Sequence, residues 1–265
     1  AVVVFVRFLD CLDGEVASAQ LTEQTVQNPI FGNWIKRNTE NHRTPGYRIV
    51  TISLKATGFA PGDISAEQLE LLADLSDTYS FGEARSTHQQ NLVLADVPTA
   101  RLLEIWERLQ AAGLATPNIG YLTDIICCPG GDYCALANAK SLPVAEAIQS
   151  RFEDLDYVYD LGPLELNISG CMNACGHHHI GHIGVLGVDK KGEEFYQVCL
   201  GGSQAKDASI GKILGPSFQQ ADMPDVIDTI LSTYVALRQE EETFLDTYRR
   251  VGIKPFKERV YAPAN

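Results

Sequence analysis

Four cysteines in two short segments constrain this chain more than any other feature. "CCPGGDYC" separates Cys128 from Cys134 by five residues, and "GCMNACG" separates Cys171 from Cys175 by three. Pro129, Gly130 and Gly131 cannot continue a strand, so the backbone must turn tightly there and can aim N–H groups at an anionic sulfur. Glycines also flank the second pair. Glycine-rich loops let four thiolates converge from two distant segments, which is what a compact [4Fe–4S] cube requires. Structural zinc is the main alternative, but its cysteine pairs are usually spaced by about two to four residues, narrower than the first gap here. A pair of disulfides ranks lower: seven cysteines, an odd number, suit a reducing compartment better than a disulfide framework. Cys127, beside Cys128, points the opposite way along an extended backbone and reads as a packed free thiol, like Cys11 and Cys199.

The chain has 265 residues, 45% apolar, enough for a substantial core in two unequal lobes. A net charge of −13 argues against nucleic acid, whose phosphates call for a basic face. No apolar run is long enough to span a membrane, and the opening "AVVVFVRFLDCLDGE" reads as a short strand without the basic flank of a signal peptide. The expectation is a cytoplasmic protein. Without an initiator Met, the chain also reads as a piece of something longer.

Residues 1–45 mix turn formers with isolated aromatics and are expected to wrap over a neighbouring unit. Within 46–118 a β-α-β-α order is legible. "YRIVTISLK" alternates like a strand, and Ser65 with Gln68 forms a capping box before a helix over 65–78. "QNLVLADV" is a second strand, and a helix over 98–112 opens at Pro98 and closes at Gly113. Two strands with one helical face cannot close a core alone, so this reads as a half-sandwich with an exposed edge that invites dimerisation. Residues 119–265 form the second lobe. "CALANAKSLPVAEAIQSRFED" reads as a helix interrupted or kinked at Pro143, "GPLELNIS" as a strand ending at the second cysteine pair, and 182–202 as a hairpin around Lys190–Gly192. "PDVIDTILSTYVALRQEEETFLDTYRRVG" reads as one long amphipathic helix.

The cysteine spacing, Asn173 within the second gap, "GVLG" behind it, "RSTHQQNLVLADVP" and "CLGGS" together resemble the sirohaem-containing sulfite and nitrite reductases. The resemblance covers about residues 45–255 and matches only the second of that family's two related halves. It implies an α+β fold: a ferredoxin-like half-sandwich followed by an α/β lobe holding sirohaem and a [4Fe–4S] cluster. It implies Cys128, Cys134, Cys171 and Cys175 as cluster ligands, with Cys175 also bridging to the sirohaem iron. It places Asn173, Thr87, Gln90 and Asn91 at the macrocycle.

The implied activity is the six-electron reduction of sulfite to sulfide or nitrite to ammonia, with this chain as the cluster-holding half. The implied partners are the missing N-terminal half, a ferredoxin or flavoprotein electron donor, and sulfite or nitrite. No dense Arg/Lys cluster here could clamp the substrate anion, so the isolated chain is expected to be weak or inactive. The reading from another class is a non-catalytic Fe–S or zinc-binding module. His177, His178 and His179 are consecutive and cannot all face one ion; one or two are expected near the cluster, the others in solvent.

Overall fold

The computed structural model describes residues 14–263, which divide into two compact units. The strand read at the start of the chain, and Cys11, lie outside the described residues. The first unit takes the described residues up to Ala56 and Gly62–Ile119; the second takes Thr57–Pro61 and everything from Gly120 on.

In the first unit, α1 (Gly14–Gln27) and α2 (Pro29–Asn38) precede β1 (Thr39–Asn41), β2 (Tyr47–Ile52), α3 (Ala66–Tyr79), β3 (Arg85–Ser86), β4 (Leu92–Pro98) and α4 (Leu102–Ala111). The sheet runs β1-β2-β4-β3, antiparallel throughout. Ser65 caps α3 with the full reciprocal pair: its hydroxyl takes the Gln68 N–H, and the Gln68 side chain takes the Ser65 N–H. Val50 and Ile52 of β2 and Leu94 and Val97 of β4 meet Leu72, Leu75, Leu102, Ile105 and Leu109 from the helices in one core. Phe31 and Trp34 of α2 complete that core, both fully buried. Asn28 starts α2 by accepting the Phe31 N–H ahead of Pro29, whose missing N–H costs nothing at a helix start. The β-α-β-α pattern gains two short strands: β1 pairs along β2, and β3 folds back on β4.

In the second unit, β5 (Ile126–Cys127), β6 (Leu166–Ser169), β7 (Ile183–Lys190), β8 (Glu193–Leu200) and β9 (Lys212–Ile213) form one sheet in that order. β5, β6 and β7 are parallel; β8 pairs antiparallel with β7, and β9 antiparallel with β8. Helices α5 (Leu142–Arg151) and α6 (Leu155–Leu161) carry the chain from β5 to β6; α7 (Met223–Leu237), α8 (Phe244–Val251) and α9 (Lys254–Val260) follow the sheet. The core holds Val144, Ile148, Leu166, Ile168, Val185, Val198, Ile227, Ile230 and Phe244. The expected hairpin turns at Lys191 and Gly192, both with positive φ (61° and 86°), the geometry that matches strand twist.

Two expected helices are corrected. The one expected from Cys134 begins at Leu142, with Pro143 in its first turn rather than at a kink. Residues 134–141 are committed elsewhere: Asn138 and Ala139 donate their N–H groups to Gly170 O at 2.9 and 3.0 Å. The long C-terminal helix is two helices. Arg238 leaves α7 in an extended conformation (ψ 141°), and Thr243 opens α8 with its own capping box to Asp246. Glu242, between them, accepts from Arg250, Thr247 and the Gln239 N–H, which fixes the break.

Candidate metal centre

Parallel pairing brings the two cysteine segments together. Ile126 lies opposite Asn167 and Cys127 opposite Ile168, so β5 and β6 run side by side and end at the same edge of the sheet. β5 delivers the chain into Cys128, and β6 delivers it through Gly170 into Cys171. Loops at the carboxyl ends of adjacent parallel strands are where open α/β sheets gather their ligands.

The two loops are laced through Gly170. Its carbonyl takes the Asn138 and Ala139 N–H groups, and its own N–H donates to Cys128 Sγ at 3.1 Å. No side chain fits here: a Cβ on Gly170 would stand 2.6 Å from Ala139 O and 2.8 Å from Gly130 Cα. Gly130 has φ +61°, and a Cβ there would stand 2.4 Å from the Ser141 nitrogen. The first loop therefore closes on itself, with a bridge between Gly130 and Lys140 and with Gly131 N–H donating to Ala139 O at 2.9 Å.

Cys128 is buried, and its Sγ lies 3.6 Å from the Ser141 hydroxyl as well as on the Gly170 N–H. Cys171 is buried, Cys134 half-buried and Cys175 exposed. Cys127 points the other way into the core, and Cys199 is buried on β8, where burial pushes its thiol up to about 11. Among the described residues, no three His, Cys, Asp or Glu side chains are gathered as one metal ion would need.

Asn173 is exposed between Cys171 and Cys175. Thr87, Gln90 and Asn91 belong to the first unit, where they form the turn between β3 and β4. Thr87 N–H donates to Asn91 O at 2.9 Å, Gln90 holds φ +60°, and the buried Asn91 side chain accepts the Leu54 N–H at 3.1 Å. His177 is exposed in a left-handed conformation (φ 52°). His178 is half-buried; desolvation, and then His179, pull it down to about 4, so it is neutral. His182 Nδ1 accepts the Glu165 N–H, and burial lowers this residue too.

Sequence reasoning missed the groups that anchor the end of the first loop. Tyr196 donates its hydroxyl to Lys140 O at 2.7 Å, and Lys140 N–H donates to Glu194 at 3.1 Å. Both come from β8, two residues apart on one face of the strand, and read as ordinary strand positions.

Residues 121–265 match the nitrite and sulphite reductase 4Fe-4S domain, and residues 41–112 match the nitrite/sulfite reductase ferredoxin-like half domain. This chain belongs to the nitrite and sulfite reductase family. A sulfite reductase [ferredoxin] of Mycobacterium tuberculosis is 32% identical over 250 residues, which cover 90% of this chain and 43% of that protein. A ferredoxin–nitrite reductase of Synechococcus elongatus is 32% identical over 64% of this chain and 34% of that one. The structure of the M. tuberculosis NirA protein superposes with a TM-score of 0.68 at 27% identity, covering 83% of this chain and 41% of that chain. A dissimilatory sulfite reductase gives the same TM-score at 15% identity, a likeness of fold. The chain spans less than half the length of the curated relatives it matches. The α+β architecture expected of the family is the one observed, and among the described residues no helix is long and apolar enough to cross a membrane.

Proposed function

We propose that this chain is the cluster-holding part of a reductase that converts sulfite to sulfide or nitrite to ammonia. The observation that carries the reading is the lacing of two thiol-bearing loops through Gly170. Four soft donors on two loops suit a multi-iron cube better than a single ion, because the cube is wider than one ion's shell. Cys128, Cys134, Cys171 and Cys175 would hold it, and Cys175, the exposed one, would also serve the sirohaem iron.

Sulfur falls from +4 to −2 and nitrogen from +3 to −3, so either substrate takes up six electrons. When bound, the coupled pair supplies those electrons at one substrate-binding iron. The chain's own part is to hold the donors. The Gly170 N–H and the Ser141 hydroxyl lie against Cys128 Sγ and fix its place, while Tyr196 and Glu194 keep Lys140, and with it the first loop, against the sheet. Asn173, Thr87, Gln90 and Asn91 remain the set assigned to the macrocycle, the last three also holding their own turn. A ferredoxin is the donor suggested by the relatives' names. The N-terminal half of the family, a cytoplasmic setting and self-association of this piece alone belong to the same reading.

The test is anaerobic reconstitution of the chain with iron and sulfide, followed by metal analysis and a visible spectrum. One cube per chain, with a broad brown absorption lost in Cys128→Ala and Cys171→Ala, is expected. A chain that takes up only zinc, with no colour, would replace this reading with the non-catalytic one.

A further inference from the structure

Cys175 sits on a backbone that is strained on both sides and pinned from below. Ala174 and His177 are both left-handed (φ 57° and 52°), a region that side-chain-bearing residues occupy only when their surroundings hold them there. The holding groups come from β6. Asn167 and Ser169 are two residues apart, so their side chains leave the same face of the strand, and each is 1% exposed. The Gly176 N–H donates to Ser169 Oγ at 3.1 Å, and Asn167 Nδ2 donates to the His177 carbonyl at 3.1 Å. The loop presses directly on the strand: a Cβ on Gly176 would stand 1.9 Å from Ile168 O.

We infer that Asn167 and Ser169 are positioning residues for the thiolate of Cys175. Their two bonds grip the two residues that follow Cys175 and fix its place relative to Cys171, whose loop leaves the same strand. The inference rests on the cluster reading above. Each partner has a chemical reason to be the residue it is. Residue 169 must accept from an amide, which a hydroxyl does and a methyl does not. Residue 167 must donate to a carbonyl, which an amide does and a carboxylate does not. Cys175 is the exposed member of the set, so its own side chain has little packing to hold it. The grip on its backbone stands in for that packing.

The experiment uses the anaerobically reconstituted chain, with Ser169→Ala, Asn167→Asp and the hydroxyl-keeping Ser169→Thr. Metal-site supports of this kind are worth roughly 10- to 100-fold in metal retention. Chelator-driven cluster loss should therefore run about that much faster in Ser169→Ala and Asn167→Asp, with a shifted midpoint potential, and recover substantially in Ser169→Thr. Equal loss rates and an unshifted potential in folded, loaded variants would overturn the positioning role while leaving the cluster reading intact. If the unsubstituted chain takes up no cluster, the cluster reading fails and the inference fails with it. Should the variants not fold, hydrogen exchange at the Gly176 amide of the unsubstituted, loaded chain decides the matter. Slow exchange supports the grip, and exchange at the rate of a free loop amide overturns it.

Discussion

Gly170→Ala tests whether the two cysteine loops interlock as described. The added Cβ would stand 2.6 Å from Ala139 O, 2.8 Å from Gly130 Cα and 2.9 Å from Ser141 Oγ. Two of those three neighbours are backbone, so no flexible side chain can swing away to make room. The Ala139 carbonyl would have to retreat by at least about 0.4 Å to reach the 3.0 Å below which Cβ contacts essentially never occur. Retreat loosens the Gly131 N–H bond to that carbonyl and the Asn138 and Ala139 bonds to Gly170 O. Overpacking a tight site costs about 1–3 kcal/mol, and we expect a net loss in that range after the small gain from a stiffer unfolded chain. For a protein of this size that is a fall in Tm of roughly 3–10 °C. Gly131→Ala is the control, since its nearest neighbours lie at 3.4 Å, and it should stay within about 0.5 kcal/mol of the unsubstituted chain. Far-UV circular dichroism during denaturant unfolding reads both, and iron content after reconstitution reads the site. If Gly170→Ala matched Gly131→Ala in stability and iron uptake, the loops would not be interlocked at Gly170.

The half-buried His178, held down to about 4, makes stability depend on pH. Between 6.5 and 4 the unfolded chain binds a proton that the folded chain refuses, so stability should fall as the pH drops through that window; His178→Gln should flatten the fall in urea-unfolding midpoints. Asn91→Ala strips the buried Leu54 N–H of its acceptor and should cost about 1–3 kcal/mol by denaturant unfolding without any cofactor present; an unchanged midpoint would remove the structural role. Ser65→Ala removes one half of the α3 capping box and should cost about 1 kcal/mol by the same measurement, whereas Ser65→Asp should retain most of it.

What could be read in advance followed from local rules with one strong solution. The Ser65–Gln68 box, the Lys191–Gly192 turn and the strand character of β2 and β4 each depend on residues a few positions apart, and each appears where the pattern puts it, although a register shift at Arg48–Val50 breaks the alternation read in β2. The strands β1 and β3 were not legible because pairs and triplets such as Arg85–Ser86 carry no period of their own; they become strands only by pairing with β2 and β4. The α1 helix, "GEVASAQLTEQTVQ", scatters its apolar residues around the axis, so no face announces it. Pro143 was ambiguous for a physical reason: proline suits the first turn of a helix as well as a kink, and only the hydrogen bonds of Asn138 and Ala139 to Gly170 show which it is. The two cysteine-bearing segments were legible as motifs, yet the groups that hold their loops were not, because Ser169, Asn167 and Tyr196 become partners only through long-range folding.

The sheet explains how two distant cysteine-bearing loops come to lie at the same end of it. About forty residues separate the two pairs, and α5 and α6 lie within that length, returning the chain to the start of β6, parallel to β5. Had β6 run antiparallel to β5, its following loop would emerge at the opposite end of the sheet, a strand length away from Cys128. The crossover therefore does the long-range work, and the glycines do the short-range work. Gly130 and Gly170 let two backbones approach more closely than any side chain permits, and Gly187 on β7 keeps the space beside them clear, since a Cβ there would meet Ala139 and Gly170 at 2.8 Å. Helical crossover, parallel pairing and bare glycine surfaces thus act in sequence, each at a shorter range than the last. Polar residues of β6 and β8 then set the final position of the loops, which is why substitutions there should alter the properties of a bound cluster before they alter the fold.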